Sequence, residues 1–208
     1  MKKIPLVILA LLIFPLLANC KQNKDSGIKT ALLIVDIQNF YFPGEGPGLF
    51  NAEAASLKAR EVLEIMRGKG QLVVHIRHKA NKGFEIHSNV KPLPGEKVIT
   101  KDEVNSFKNT DLLEYLKQNK INRLVIIGMQ TQMCLEAAVR AGHDLDFECI
   151  VIEDACAARD ITFNGRVVRA EDVHISTLAS LTDGNYAKVI DLDVFRKETD
   201  KYLYQKIK

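Results

Sequence analysis

Three residues of reactive type stand at the ends of apolar runs, and the chemistry they offer jointly is nucleophilic attack by a thiol. Asp36 closes the run Thr30-Ala-Leu-Leu-Ile-Val35, Lys101 closes Lys97-Val-Ile-Thr100, and Cys134 follows the run Arg123-Leu-Val-Ile-Ile127 across Gly128-Met-Gln-Thr-Gln-Met133. A thiol attacks as its thiolate, which a helix N-terminus and a neighbouring cation both favour. Cys134 opens a helical pattern and Lys101 supplies a cation, so the pattern predicts a sulfur ionised at neutral pH. Asp36 can take the thiol proton and later hand it to a leaving amine, and backbone N–H groups of the 128–134 turn can face a tetrahedral oxyanion. Singly, each residue has a duller explanation: a turn aspartate, a solvated lysine, a small core cysteine. Convergence on adjoining strand ends is what would make them a site.

The surrounding pattern predicts such convergence. Further short apolar runs lie at Gln71–Ile76, Glu148–Ile152 and Ala187–Ile190, apolar on both faces as buried parallel strands are. Amphipathic stretches alternate with them. Asn51 is placed to cap a helix carrying Ala55, Ala59, Val62 and Met66 on one face, with Gly68 and Gly70 at its end. Asp111–Asn119, Gln132–Gly142 and Ala170–Leu181 are the other helical patterns. Strand–helix–strand repetition predicts a single-domain α/β sandwich, with a mostly parallel, Rossmann-like sheet of about six strands flanked by helices. Ligands of such sheets bind beyond the carboxyl ends of the strands, where Asp36, Lys101 and Cys134 stand.

Composition excludes several classes. The chain of 208 residues is 47% apolar and 26% charged, which rules out a disordered chain and supports one buried core. A net charge of +3 with lysines dispersed among acids is no footprint for nucleic acid. Lys2-Lys3 and the apolar run Ile4–Ala18, broken by Pro5 and Pro15, have the form of an export signal and are too short for a comfortable membrane span. We expect a signal peptide over 1–19, a spacer over 20–28 and the catalytic domain over 29–208. Leu17-Ala18-Asn19-Cys20 resembles the lipobox of bacterial lipoproteins, with Asn19 where Gly or Ala is usual. That resemblance implies lipidation of Cys20 and a domain tethered to the membrane in the cell envelope; an uncleaved N-terminal anchor is the alternative. Cys149 and Cys156 read as small buried residues, and no Cys/His spacing suggests structural zinc.

The residues Leu33-Ile-Val-Asp36-Ile-Gln-Asn-Phe-Tyr-Phe-Pro-Gly44, Pro94-Gly-Glu-Lys-Val-Ile-Thr-Lys101, Gly128-Met-Gln-Thr-Gln-Met-Cys134, Glu153-Asp-Ala-Cys-Ala-Ala-Arg-Asp160 and His174 resemble, in order, the isochorismatase-like cysteine hydrolases. The resemblance runs from about residue 29 to about 195. It implies a six-stranded parallel sheet and a triad of Asp36, Lys101 and Cys134. It also implies a cis peptide at Met129–Gln130, with the N–H groups of Gln130 and Cys134 as oxyanion donors. Members that hydrolyse a vinyl ether lack the cysteine, so its presence implies a C–N bond hydrolase acting on a small amide, imide or ureido compound. An oligomer of identical chains is expected on the same ground.

Nicotinamidases in this group carry a metal site with an Asp-x-His motif after the first strand; residues 44–55 here contain no histidine. No cofactor is therefore expected, although a trio of histidines, His75, His78 and His87, invites a metal proposal. His75 is read as a strand residue, and His78 and His87 as lining or rimming the pocket. Phe40, Phe42 and Phe84 are candidate pocket walls, and Gln132 stands where relatives often have histidine. His174 is read as structural. Two alternatives remain at this level: a tethered binding module that has lost turnover, and a metal-assisted hydrolase.

Overall fold

The computed structural model describes residues 27–44 and 48–207. The expected signal peptide and Cys20 lie outside the described residues. Strands β1 (Thr30–Val35), β2 (Leu72–His78), β3 (Lys97–Lys101), β4 (Arg123–Met129), β5 (Glu148–Ala157) and, after a two-stranded hairpin of β6 (Ile161–Phe163) and β7 (Arg166–Val168), β8 (Lys188–Ile190) are joined by helices. These are α1 (Ala52–Gly68), α2 (Leu112–Gln118), α3 (Glu136–Asp144), α4 (Ala170–Asp183), α5 (Leu192–Lys197) and α6 (Thr199–Tyr204). Six strands form one sheet in the order β3-β2-β1-β4-β5-β8, every pair parallel.

β1 and β4 are buried at every residue, which is why they read as unbroken apolar runs rather than alternating ones. Their side chains still alternate between two cores. Leu32, Ile34, Val125 and Ile127 meet Ala55, Ala59, Val62 and Met66 of α1 together with Leu192, Phe195 and Leu203 of α5 and α6. Ala31, Leu33, Leu124 and Ile126 meet Leu112 and Leu116 of α2, Ala138 and Val139 of α3, and Leu178 and Leu181 of α4. Each large aliphatic side chain so buried contributes about 2 kcal/mol of transfer free energy. The guanidinium of Arg123, fully buried at the start of β4, donates to the carbonyls of Tyr202 (2.7 Å) and Gln205 (2.6 Å) and to Glu148, fastening the C-terminal segment beneath the sheet. Among the described residues no helix is long and apolar enough to cross a membrane.

Two local expectations are corrected. Asn51 adopts a left-handed backbone (φ 56°) and its side chain caps nothing, because the chain must turn sharply into α1 and asparagine tolerates that conformation. The helix expected from Gln132 begins at Glu136, and residues Thr131–Leu135 form a wider π turn leading into it. The hairpin β6–β7 was invisible in the sequence, its strands being only three residues long and mostly exposed.

Candidate active site

The sheet order places four neighbouring strand ends side by side: Lys101 on β3, His78 on β2, Asp36 after β1, and the turn carrying Cys134 after β4. Register fixes the arrangement, with His78 opposite Lys101 and Val35 opposite both Ile76 and Gly128. Gly128 has φ +134°, and a β-carbon there would lie 2.0 Å from the Val35 carbonyl oxygen, so only glycine lets β4 approach β1 at this point. The peptide bond that follows, Met129–Gln130, is cis, at the position the resemblance implies. The Gln130 carbonyl then accepts from the N–H groups of Met133 (3.0 Å) and Leu135 (3.3 Å), closing the turn around Cys134. His174 on α4 supports it from outside through a 2.9 Å hydrogen bond between its Nδ1 and Thr131 Oγ1.

Lys101 is the centre of the constellation. Its Nζ donates to Asp36 Oδ2 at 2.7 Å, to Cys134 Sγ at 3.2 Å, and is 3.0 Å from His78 Nδ1. The side chains of Asp36 and Lys101 are wholly buried and Cys134 is 4% exposed. Among the described residues no hydrogen-bond donor reaches Asp36 Oδ1, while the carboxylate interacts with the Cys134 thiol, the two groups having ligand atoms within 4.8 Å of one another.

The expected ionised sulfur is corrected here. Burial first, and the Asp36 charge second, push the Cys134 thiol up to about 12, outweighing the help of Lys101. Burial likewise raises Asp36 against the opposing pull of Lys101. The resting site therefore holds a protonated thiol beside a carboxylate made more basic than usual, with a cation touching both.

Next to this centre stand groups that sequence reasoning missed. Tyr41 lies close enough to Asp36 and Cys134 for their charges, together with burial, to raise its phenol, and its hydroxyl is within hydrogen-bonding reach of Gln130. Gln130 Oε1 in turn accepts from Gln132 Nε2 (2.9 Å) and Arg159 Nε (3.1 Å), so an exposed guanidinium is held against the nucleophile turn. Gln132 Oε1 is buried and has no hydrogen-bond partner among the described residues. Gln38 is buried and saturated, its amide clamping both backbone groups of His78 and the Phe84 carbonyl.

The expected pocket residues separate. His78 joins the centre, and Gln132 borders it through Gln130. Phe42, expected as a wall, is instead a core residue stacked on His87 at 3.7 Å, because the chain after β1 turns its ring under α1. Phe84 packs beneath Arg77, and Phe40 lies against Tyr41. The three histidines have three different partners: His75 binds Glu96, His78 binds Lys101, and His87 takes the Asn89 N–H. Asp36, His78 and Cys134 are close enough to share a cation, but the Lys101 ammonium, bonded to all three, fills that place. The donor set thus fits an ammonium rather than a metal. A cleft of about 460 Å³ between α1 and α4 is lined by Phe50, Ala157, His174 and Ile175 and by none of Asp36, Lys101 and Cys134.

Comparison with known proteins agrees with this fold. Residues 30–181 match the Isochorismatase domain family. The uncharacterized isochorismatase family protein YddQ of Bacillus subtilis is 39% identical over 179 residues, spanning 81% of this chain and 99% of its own length. The ureidoacrylate amidohydrolase RutB of Cronobacter turicensis is 29% identical over 145 residues, 68% of this chain and 60% of that protein. Among solved structures, an isochorismatase-type chain from Oleispira antarctica superimposes with a TM-score of 0.76 at 38% identity, covering 80% of this chain and 95% of that one.

Proposed function

The chain belongs to the isochorismatase family of hydrolases, and we propose that it is a cysteine hydrolase cleaving a C–N bond of a small amide, imide or ureido compound through a thioester on Cys134. One observation carries the proposal: a single buried ammonium touches both the Asp36 carboxylate and the Cys134 sulfur. The similarity to a relative named as an amidohydrolase supports the choice of bond.

Because the thiol rests protonated, proton transfer accompanies attack. The sulfur lone pair forms the S–C bond as the thiol proton passes to Asp36, whose raised basicity favours the transfer. The carbonyl electron pair moves onto oxygen, where the N–H groups of Gln130 and Cys134 receive it. Collapse of the tetrahedral adduct breaks the C–N bond, and the amine leaves with the proton held by Asp36. Water then attacks the thioester, again giving a proton to Asp36, and the acid departs as the proton returns to sulfur. Lys101 remains a cation throughout, balancing first the carboxylate and then the sulfur. The Arg159 guanidinium, anchored on Gln130, favours amides that also carry an anionic group.

Single-turnover mass spectrometry across nicotinamide, carbamoyl amino acids, ureidoacrylate and related amides tests the proposal. The expected result is an acyl adduct on Cys134 with at least one of them. Absence of any adduct, with turnover unchanged in Cys134→Ala, would refute it. We also propose that the domain is an exported lipoprotein tethered through Cys20, on the strength of Lys2-Lys3, the apolar run and Leu17-Ala18-Asn19-Cys20. Two acyl chains suffice for stable anchoring. Cys20→Ser should move the protein from the membrane to the soluble fraction. Assembly into a homo-oligomer is the further expectation, checked by light scattering.

A further inference from the structure

An ammonium has three hydrogens to donate and nothing to accept with. In a site closed to water, a hydrogen left without an acceptor is costly and leaves the cation free to wander between its remaining partners. At Lys101 two hydrogens go to Asp36 Oδ2 and Cys134 Sγ, and the third meets His78 Nδ1 at 3.0 Å. Since the ammonium is the donor, Nδ1 carries no proton and the imidazole is the Nε2–H tautomer. His78 is itself held, at backbone level, by the buried Gln38 side chain, which donates to its carbonyl (2.9 Å) and accepts from its N–H (2.7 Å). The strand register sets His78 directly opposite Lys101.

We infer that His78 is a positioning residue of this site: its Nδ1 takes the third hydrogen of the Lys101 ammonium and so keeps that cation between the Asp36 carboxylate and the Cys134 sulfur. The inference deepens the cysteine-hydrolase proposal and rests on it for its functional meaning, although its geometry does not depend on any substrate. Two consequences follow. The ammonium, its hydrogens all engaged, is a fixed charge rather than an acid donating to the substrate. Loss of His78 would weaken the hold of Lys101 on the sulfur rather than remove a group that touches the substrate.

The test is the rate of Cys134 alkylation by iodoacetamide at pH 8, followed by intact-protein mass, which needs no substrate. Removing the acceptor in His78→Ala should slow alkylation about threefold to tenfold, because the thiolate is the reacting form and its cation is loosened. His78→Asn, whose Oδ1 sits where Nδ1 did, should restore most of the rate, and His78→Gln, which reaches to the Nε2 position, should not. In a Lys101→Ala background the His78→Ala change should have no further effect, since its influence passes through the ammonium. Unchanged or faster alkylation in His78→Ala, equal behaviour of the Asn and Gln variants, or additive effects with Lys101→Ala would each overturn the inference. A His78→Ala protein that loses its cooperative thermal transition would be judged on the Asn and Gln variants alone, whose divergence supports the inference and whose equality overturns it. Once a substrate is known, kcat should fall with the alkylation rate while KM stays within about twofold. Failure of the cysteine-hydrolase proposal would show separately, as absence of a Cys134 acyl adduct in the wild-type protein.

Discussion

β2 contributes a histidine to each of two charge clusters, one wholly and one partly buried, and the two are built to opposite ends. His75 and His78 are three residues apart and therefore face opposite sides of the sheet. His75 Nε2 meets Glu96 at 3.0 Å, and the same carboxylate accepts two bonds from Arg67, each 2.7 Å, and one from the Leu93 N–H at 2.8 Å. Burial alone would raise Glu96, but these donors hold it down at about 2. Asp36, in the other cluster, has one oxygen on Lys101 and one without a further partner, and burial keeps it above the ordinary aspartate value. A carboxylate with donors on both oxygens is a fastener; one with an oxygen to spare beside a thiol is a base. Saturation and depth together separate the two: both are paired to a cation, but Asp36 is wholly buried and Glu96 only partly so.

The widest gap between the clusters should appear in Asp36→Asn. Turnover should fall about 10²- to 10⁴-fold, the span of a lost general base, while alkylation of Cys134 at pH 8 becomes faster because the negative charge that helps hold the thiol up has gone. Slower alkylation with turnover intact would erase the distinction. In the wild type, the acidic limb of kcat/KM should lie above pH 3.8, since Asp36 must be ionised to act and its pKa is raised from that value.

Glu96→Gln should do the reverse. Unfolding in urea should show a loss of about 2 kcal/mol as the Arg67 charge loses its partner, with turnover of the folded protein within about twofold. The pH response has a definite sign. Glu96 is depressed in the folded state, so its stabilisation is complete above pH 4.5 and is lost as pH falls toward about 2. Asp36 is raised, so protonating it on the way down relieves a buried charge and opposes that loss. The Glu96→Gln protein should therefore have a flatter urea midpoint below pH 4.5 than the wild type.

Smaller effects sharpen the edge of the reactive cluster. Arg159→Ala should raise KM about tenfold for anionic amides and leave neutral ones nearly unchanged, as expected of one charge-assisted contact, measured by steady-state kinetics on a matched substrate pair. Tyr41→Phe should change kcat/KM by only about threefold, because the raised phenol remains protonated and its hydroxyl reaches Gln130 rather than the sulfur.

Much of the fold was legible because the strands are buried on both faces, and a run such as Thr30–Val35 announces itself without help from its neighbours. The same rule exposed Asp36, Lys101 and Cys134, each being the first chemically capable residue beyond such a run or its turn. What escaped depends on distance across the fold. Gln38 looks like any polar loop residue until its amide is seen closing on His78, forty positions away. Tyr41 is one of three adjacent rings, Phe40 to Phe42, and nothing in the sequence distinguishes it as the ring that reaches the site. The ionisation state of Cys134 is hidden for a related reason: a helix start and a lysine are visible in a sequence, whereas the depth of burial and a carboxylate against the sulfur are not.

Lys101, His78, Asp36 and the Cys134 turn each hang from a different strand, and the pairing of β3, β2, β1 and β4 brings them to one address. A slip of one residue in any of those pairings would carry a member about 3.3 Å along the strand and turn its side chain to the other face. Competence is thus a collective property of the sheet, switched on only when strands drawn from a hundred residues of chain have all found their partners. A half-assembled intermediate would carry every reactive group but not their arrangement, so a newly made chain has no hydrolytic centre before its folding is finished.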